Sequence, residues 1–475
     1  MGPTFWACAA AFTCAACAAA AWLVGLTGHR ERRRLERSGP LTLGHDYVII
    51  GAGPSGCYLA RLLAERFPDR SVCIINRDGA PPSFWKIYFV NLIGVVLPWL
   101  VPSLQYRLRS HKRQFANATY IGGNTNINAA VGPVPTREEI ESCLGSDLAS
   151  HFDKFASGSE IERLSKDCLA SPGLERLSKD LNERGVKGSR IRVFSDGFRR
   201  IHPGDLLCGL RNVTVVVGHA DRLEIDDASK TVQRVICNGG VFAITPKRRT
   251  FLCAGALESP KILIKSGVGP ADIIHEMAKS SAKASEQGKL VLANEHIGMN
   301  LQDHWVGRAS AEVPSIYTYE TLYPHILGYK HQYKDVAMGF GKLQLLGKNL
   351  VSFATTACKN PGQLVLAADG QLEPYLPVGA DDMQAYQSSL SELIALLGSL
   401  GIVVKPKTAP LSPNWHLSCT LSVGTCVDPA TLQVNGLKKI HVADVSVLRK
   451  ITPMNTQIVS YAIPFMLLEE MGEMI

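Results

Sequence analysis

The sequence predicts an α/β fold, and three observations carry that expectation. Residues 45–79, HDYVIIGAGPSGCYLARLLAERFPDRSVCIINRDG, read as strand, tight turn, helix and strand. Short apolar, β-branched runs recur at 213–217 (VTVVV), 232–237 (VQRVIC) and 250–253 (TFLC). The last of these runs straight into a second turn-and-helix pattern, and strands alternating with helices in this way build a parallel sheet.

The first unit is the most explicit. Tyr47–Ile50 is an uninterrupted apolar run, as a strand covered on both faces requires. Leu59, Leu62 and Leu63 give the following segment a helical stripe, Pro68 and Asp69 end it, and Val72–Ile75 form the second strand. Between strand and helix stand Gly51, Gly53 and Gly56 in a G-x-G-x-x-G pattern. The first glycine permits the turn, the second lets backbone approach a pyrophosphate and the third lets helix pack on strand, so the pattern in this context predicts a Rossmann-like dinucleotide site. The second strand ends in Asn76-Arg77, where an acid would bind the adenosine ribose. Asn still hydrogen-bonds a hydroxyl, but Asn-Arg also suits a 2′-phosphate, so an NADP-type ligand stands as the rival to FAD.

The rest of the chain bounds the class. With 475 residues there is room for two to three domains. The net charge of +8 is diffuse apart from HRERRRLER at 29–37, and no basic patch is interleaved with aromatics, which argues against nucleic acid. Residues 4–28 carry no charge and are long enough to cross a bilayer. The Arg cluster follows them across a polar linker at 29–44, predicting a single-pass anchor with a cytosolic catalytic part; a cleaved signal, with a secreted or lumenal protein, is the alternative. Residues 84–102 form a second, interrupted apolar stretch, read as core or as a patch lying in the membrane surface. Residues 136–185, with ERLSKD at 162–167 and again at 175–180, read as a solvated helical hairpin, and 305–410 as amphipathic segments between Pro and Gly loops. The 13 scattered cysteines form no disulfide frame, and sequons stand at Asn117 and Asn212.

One further stretch, PNWHLSCTLSVGTCVDP at 413–429, sets His416 in an H-x2-C-x6-C pattern. A metal would need ligands that the pattern does not offer; a Cys-His nucleophile, a structural histidine and a catalytic base remain open from local spacing.

Four segments beyond the glycine turn resemble the glucose-methanol-choline (GMC) flavin oxidoreductases: ATYIGGNTNINAAV (118–131), RRTFLCAGALESPKILIKSGVGP (248–270), EHIGMNLQDH (295–304) and GLKKIHVADVSVLRKITPMNTQIVSYAIPFM (436–466). The resemblance implies a Rossmann-like FAD-binding domain from 45–131, 190–304 and 411–475, interleaved with a substrate-binding α+β region from 132–189 and 305–410. It implies FAD held non-covalently, since 115–135 contains no His or Cys for attachment. Gly51, Gly53, Ser55 and Gly56 would hold the pyrophosphate and Asn76 the ribose. Gly122, Gly123, Asn124 and Asn128 would face the flavin; Ala220, or its neighbour Asp221, the adenine; Ala254 and Gly255 the adenosine side. Asp444, Asn455 and Thr456 match the family's last FAD segment. His416 falls on the family histidine, implying that it takes the proton of an alcohol, an apolar one where 84–102 lies at the membrane surface, while hydride passes to flavin N5 beside Asn455. Cys419 stands where the family has glycine. The alternatives are a non-catalytic, membrane-tethered flavoprotein and an NADP-dependent dehydrogenase. No metal is implied, and the electron acceptor is not specified.

Overall fold

The computed structural model describes residues 44–81, 106–110, 113–128, 130–167, 172–195, 200–280, 289–317, 329–343, 348–406 and 412–472. The segments 4–28, 29–43 and 84–102 lie outside the described residues. Among the described residues no helix is long and apolar enough to cross a membrane.

The glycine turn joins β1 (Gly44–Ile50) to α1 (Pro54–Arg66), which returns through β2 (Val72–Asn76). These strands pair in parallel with β3 (Val213–Val217) on one side and with β4 (Phe242–Leu252) and β5 (Ile440–Val442) on the other, in the order β3-β2-β1-β4-β5. Tyr47 to Ile49 have no exposed surface, as the apolar run demands. Ile50 pairs with both Ile75 and Leu252, and Leu252 with Val442. The carboxyl ends of four strands therefore finish level, and residues at or just beyond them (Gly51, Asn76, Cys253, Asp444) meet at one edge, where open α/β sheets bind ligands.

Two helices complete this layer. β4 runs into α2 (Gly255–Lys265), and the chain closes with α3 (Gln457–Met471). α3 is apolar on every side, so it can only lie inside the protein; Gln457 to Leu468 are all buried, and it packs on α1 with Tyr461 edge-on to Tyr58 at 5.8 Å. The short helices between Arg137 and Leu164 pack against α3, sinking Ile140, Leu148, Phe152 and Phe155 into the same core.

That last packing corrects the expected hairpin. Residues 137–164 form several short helices of the first core rather than one arm of a solvated pair, and only Pro172–Asn182 joins the second core through Leu174, Leu177 and Leu181. The second layer is an antiparallel sheet whose order runs Val131–Pro133, Lys187–Val193, Tyr329–Tyr333, Val336–Leu343, Lys348–Thr355, Trp305–Glu312 and Val403–Pro406. The helix Ala380–Ser399 covers it with Tyr386, Leu393 and Leu397. The expected domain edges shift accordingly. The edge at 190 cuts the strand Lys187–Val193, the edge at 131/132 cuts Val131–Pro133, and Ser412–Pro413 pairs with Trp305 in the second sheet.

Nine cysteines are described, and all are free. Cys57, Cys73, Cys237 and Cys253 are buried as expected of small apolar residues. Half-buried Asn212 donates its amide to the carbonyls of Ala64, Phe67 and Arg70, so its side chain is engaged in structure.

Candidate active site

A deep cleft follows the level strand ends. Its empty volume, open mouth included, is about 1410 Å³. Gly51, Gly53, Ser55, Asn76, Gly123, Asn124, Asn128, Ala220, Ala254, Gly255, Asp444, Asn455, Thr456 and His416 all line it. Gly56 and Gly122 do not line it; both act from beneath.

At the glycine turn, a Cβ on Gly56 would stand 1.9 Å from the Gly51 carbonyl, so the third glycine is a packing requirement. A Cβ on Gly53 would meet nothing within 4 Å: the second glycine opens onto the cleft. The N-cap residues Gly53, Ala254 and Thr456 give α1, α2 and α3 no side-chain cap of their own, and all three helices begin on the cleft. The uncapped start of α1 beside the glycine turn, with its N–H groups and helix dipole, makes that end of the cleft a seat for anionic phosphates. The residues therefore fit a dinucleotide.

Asn76 departs from its expected part. Its amide donates to the carbonyls of Asp78 (2.7 Å) and Thr119 (2.8 Å), while its oxygen accepts the Ala52 N–H at 3.0 Å. Both donors are spent on stapling the two loops, so Asn76 has only acceptor capacity left for a ribose. A carboxylate, which only accepts, would fail in this place. The acid of this region is instead Glu258, in the first turn of α2, which lines the cleft with Arg77 and His219. Arg77 donates to Glu258 (3.4 Å) and to His219 Nδ1 (3.3 Å). Burial opposes ionisation of Glu258, but Lys261 and Arg77 outweigh it and hold the carboxyl below its ordinary range. Motif reading misses Glu258 because the α2 segment is read for its Ala254-Gly255 turn, and the partners of Glu258, Arg77 and His219, lie far away in the chain.

The remaining polar residues fix the loops around the cleft. Asn124 accepts the Ala118 N–H at 2.8 Å, and Asn128 donates to Gln457 at 2.8 Å while accepting from Arg200. Ser55 donates to the Ser460 carbonyl at 2.6 Å, tying α1 to α3. Gly122, with φ +97°, rests against buried His202. Asp444 accepts from the Gly255 N–H (2.8 Å) and the Ser259 hydroxyl (2.7 Å), which sets the start of α2. Burial raises its carboxyl above the ordinary value, with these donors and Ser446 pulling the other way.

At the far end stand His416 and Asn455, 39 residues apart in the chain, with Asn455 Nδ2 3.2 Å from His416 Nε2. Thr420 donates to the Ala256 carbonyl at 2.7 Å and fastens the segment to α2. Trp415 (φ +62°) and Cys419 (φ +74°) adopt left-handed backbone on either side of His416. For a side-chain-bearing residue this conformation costs roughly 1–2 kcal/mol, and the glycine expected at 419 would avoid it. What holds the bend is Asp303, fully buried, whose carboxylate accepts the N–H groups of Trp415 (2.9 Å), His416 (2.8 Å) and His304 (2.8 Å).

Behind His416 lies His304, its Nδ1 2.8 Å from His416 Nδ1 and its Nε2 2.8 Å from the Thr452 carbonyl. Asp303, His304 and His416 thus bring ligand-type atoms within 4.8 Å of one another. Two nitrogens on one tetrahedral zinc, each about 2.0–2.1 Å from it, would lie about 3.3 Å apart. The 2.8 Å separation is that of a hydrogen bond, and the Asp303 oxygens are taken by backbone. The trio is a hydrogen-bonded chain. Cys419 and Cys426 are buried, and burial pushes both thiols up, Cys426 to about 11, so neither is a ready nucleophile.

Comparison with known proteins agrees with this architecture. The N-terminal GMC oxidoreductase pattern matches residues 215–306 and the C-terminal one 402–463. An oxygen-dependent choline dehydrogenase from Stenotrophomonas maltophilia (strain K279a) is 42% identical over 55% of this chain and 53% of its own length. Another from Rhizobium johnstonii is 31% identical over 58% of this chain and 56% of its own. The chain spans about half the length of the curated relatives it matches. Pyridoxine 4-oxidase from Mesorbium loti superposes with a TM-score of 0.70 at 18% identity, over 90% of this chain and 99% of that one. A formate oxidase from Aspergillus oryzae RIB40 superposes at 0.71 and 16% identity, over 92% of this chain and 99% of that one. With both family patterns matched in order on a fold of this kind, the chain belongs to the GMC oxidoreductase family.

Proposed function

We propose that this protein is an FAD-dependent oxidoreductase acting on the CH–OH group of a small alcohol, with His416 as the base. The observation that carries the reading is the 3.2 Å pairing of His416 Nε2 with Asn455 at one end of a cleft whose other end is shaped for phosphates. FAD, held non-covalently along the glycine turn and the three helix starts, would supply the two-electron acceptor that the side chains lack. His416 Nε2 would accept the hydroxyl proton, a task suited to imidazole because its pKa lies near working pH. The Asn455 amide would hydrogen-bond the oxygen as negative charge develops there. Trp415 and Leu417 line this end and belong to an apolar cluster with Leu257, Leu301 and Trp305, which favours an alcohol with an apolar body.

Arg77 bears on the rival cofactor. Its charge is already matched by Glu258, which favours a free ribose over a 2′-phosphate. The experiment is direct: the purified protein should show a flavin absorbance spectrum that bleaches when a reactive alcohol is added without oxygen. A flavin spectrum that no alcohol of a broad panel bleaches would support a non-catalytic flavoprotein instead.

A further inference from the structure

Four atoms in series decide where the protons of the His416–His304 pair lie. The Thr452 carbonyl can only accept, and it stands 2.8 Å from His304 Nε2, so that nitrogen carries a hydrogen. In a neutral imidazole the other nitrogen is then a lone pair. His304 Nδ1 faces His416 Nδ1 at 2.8 Å, with the two rings at 82° to one another. Two lone pairs at that distance repel, so His416 Nδ1 must carry the hydrogen. His416 Nε2 is left bare, and the Asn455 amide nitrogen at 3.2 Å has a hydrogen to offer it. Asn414 Nδ2 stands 3.3 Å from His416 Nδ1; this tautomer requires the Asn414 amide to be flipped so that its oxygen faces the N–H, the O and N of an amide being interchangeable where hydrogens are not observed.

We propose that His304 is a positioning residue that locks His416 in its Nδ1–H tautomer, so that Nε2 is the proton-accepting atom in the cleft. This rests on the reading of His416 as the base. The arrangement does two things. It prevents His416 from presenting an N–H to the substrate oxygen, which would make it a donor where an acceptor is needed. It also supports the cation that forms when Nε2 takes the hydroxyl proton, because the Nδ1–H already points at the His304 lone pair. His304 is 1% exposed and the Asp303 carboxylate lies within 4.8 Å, so no water need take part in holding either charge state. His304 touches neither cofactor nor substrate in this account; it acts through His416.

The test reads the tautomer itself. The full protein, labelled with ¹⁵N-histidine and studied at alkaline pH, should show, beside the like signal of His441, whose Nδ1 faces the Thr431 carbonyl and whose Nε2 faces Arg249, a histidine with a protonated Nδ1 and a bare Nε2 that disappears in His416→Ala. His304→Leu removes the acceptor and should shift that histidine toward the Nε2–H form, lowering the flavin reduction rate at least about tenfold; holding a catalytic histidine in the wrong tautomer costs up to about 10⁴-fold elsewhere. His304→Gln keeps an acceptor toward His416 and a donor toward Thr452, and should restore both signals. A wild-type His416 found in the Nε2–H form overturns the proposal, as does an unchanged His416 signature in His304→Leu. The wild-type spectrum decides even if the leucine variant fails to fold. A His416→Ala variant that keeps its rate would sink the base reading, whereas the tautomer is measured independently of rate.

Discussion

The carboxylate of Asp303 accepts the backbone N–H of His416 at 2.8 Å and that of His304 at the same distance, so one buried acid sets the backbone of both histidines. Burial pushes its carboxyl up to about 7 against the pull of four backbone N–H groups. The sign follows from linkage: the folded state binds the proton more tightly than an unfolded chain at the ordinary 3.8, so stability from this group is full below about pH 4 and is lost as pH rises toward 7. Asp303→Asn cannot titrate. The melting temperature of the wild type should therefore fall relative to that variant between pH 4 and 7, and parallel curves would show that Asp303 ionises as freely folded as unfolded.

The glycine turn separates two kinds of requirement. Gly56→Ala drives a Cβ into the Gly51 carbonyl and should cost about 1–3 kcal/mol or more of stability. Gly53→Ala meets no protein atom within 4 Å and should leave the apoprotein as stable as before, or raise it by about 0.4–1 kcal/mol. It should nevertheless weaken FAD, because the methyl group fills the approach to the phosphates. Thermal melts of apoprotein beside FAD titrations separate the two, and equal losses in both variants would contradict the assignment.

Restoring the expected ribose acid should do harm. Asn76→Asp sets a carboxylate against the carbonyls of Asp78 and Thr119, and unmaking those bonds costs about 1–3 kcal/mol each. FAD affinity should fall with loop order. Glu258→Gln should also weaken FAD, while leaving Arg77 without its counter-charge and raising affinity for a 2′-phosphorylated nucleotide. Tighter FAD binding by Asn76→Asp, measured by flavin fluorescence, would show that the staple is dispensable.

The cysteines of the H-x2-C-x6-C segment should be silent. Cys426→Ser removes a buried thiol that is fully protonated near neutrality, so the flavin reduction rate per bound flavin should stay within about twofold of wild type, a sub-kcal/mol change in barrier. A loss comparable to that of His416→Ala would revive thiol chemistry.

What was legible in the sequence was what is local. The G-x-G-x-x-G turn can be read because its demands, a left-handed Gly51 and no room at Gly56, fall within six residues. The structural part of Asn76 was not legible because one of its partners, the Thr119 carbonyl, lies 43 residues away. The family motif brought out His416, but spacing gave no hint of His304, 112 residues earlier inside a segment read only as part of the family resemblance. The ERLSKD echo suggested one structural unit, whereas Leu164 and Leu177 enter different cores. The antiparallel strands between 305 and 406 were hidden because some are interrupted by glycine, as in Val336–Leu343, and lack a clean two-residue alternation.

The central claim is that His416 Nε2 accepts the substrate proton. Rapid mixing of FAD-loaded wild type and His416→Ala with a reactive alcohol, under anaerobic conditions and per bound flavin, tests it most directly. The account predicts that the variant keeps its fold and FAD but reduces its flavin at least about 10²-fold more slowly. A variant that binds less FAD yet reduces each bound flavin at the wild-type rate would contradict it.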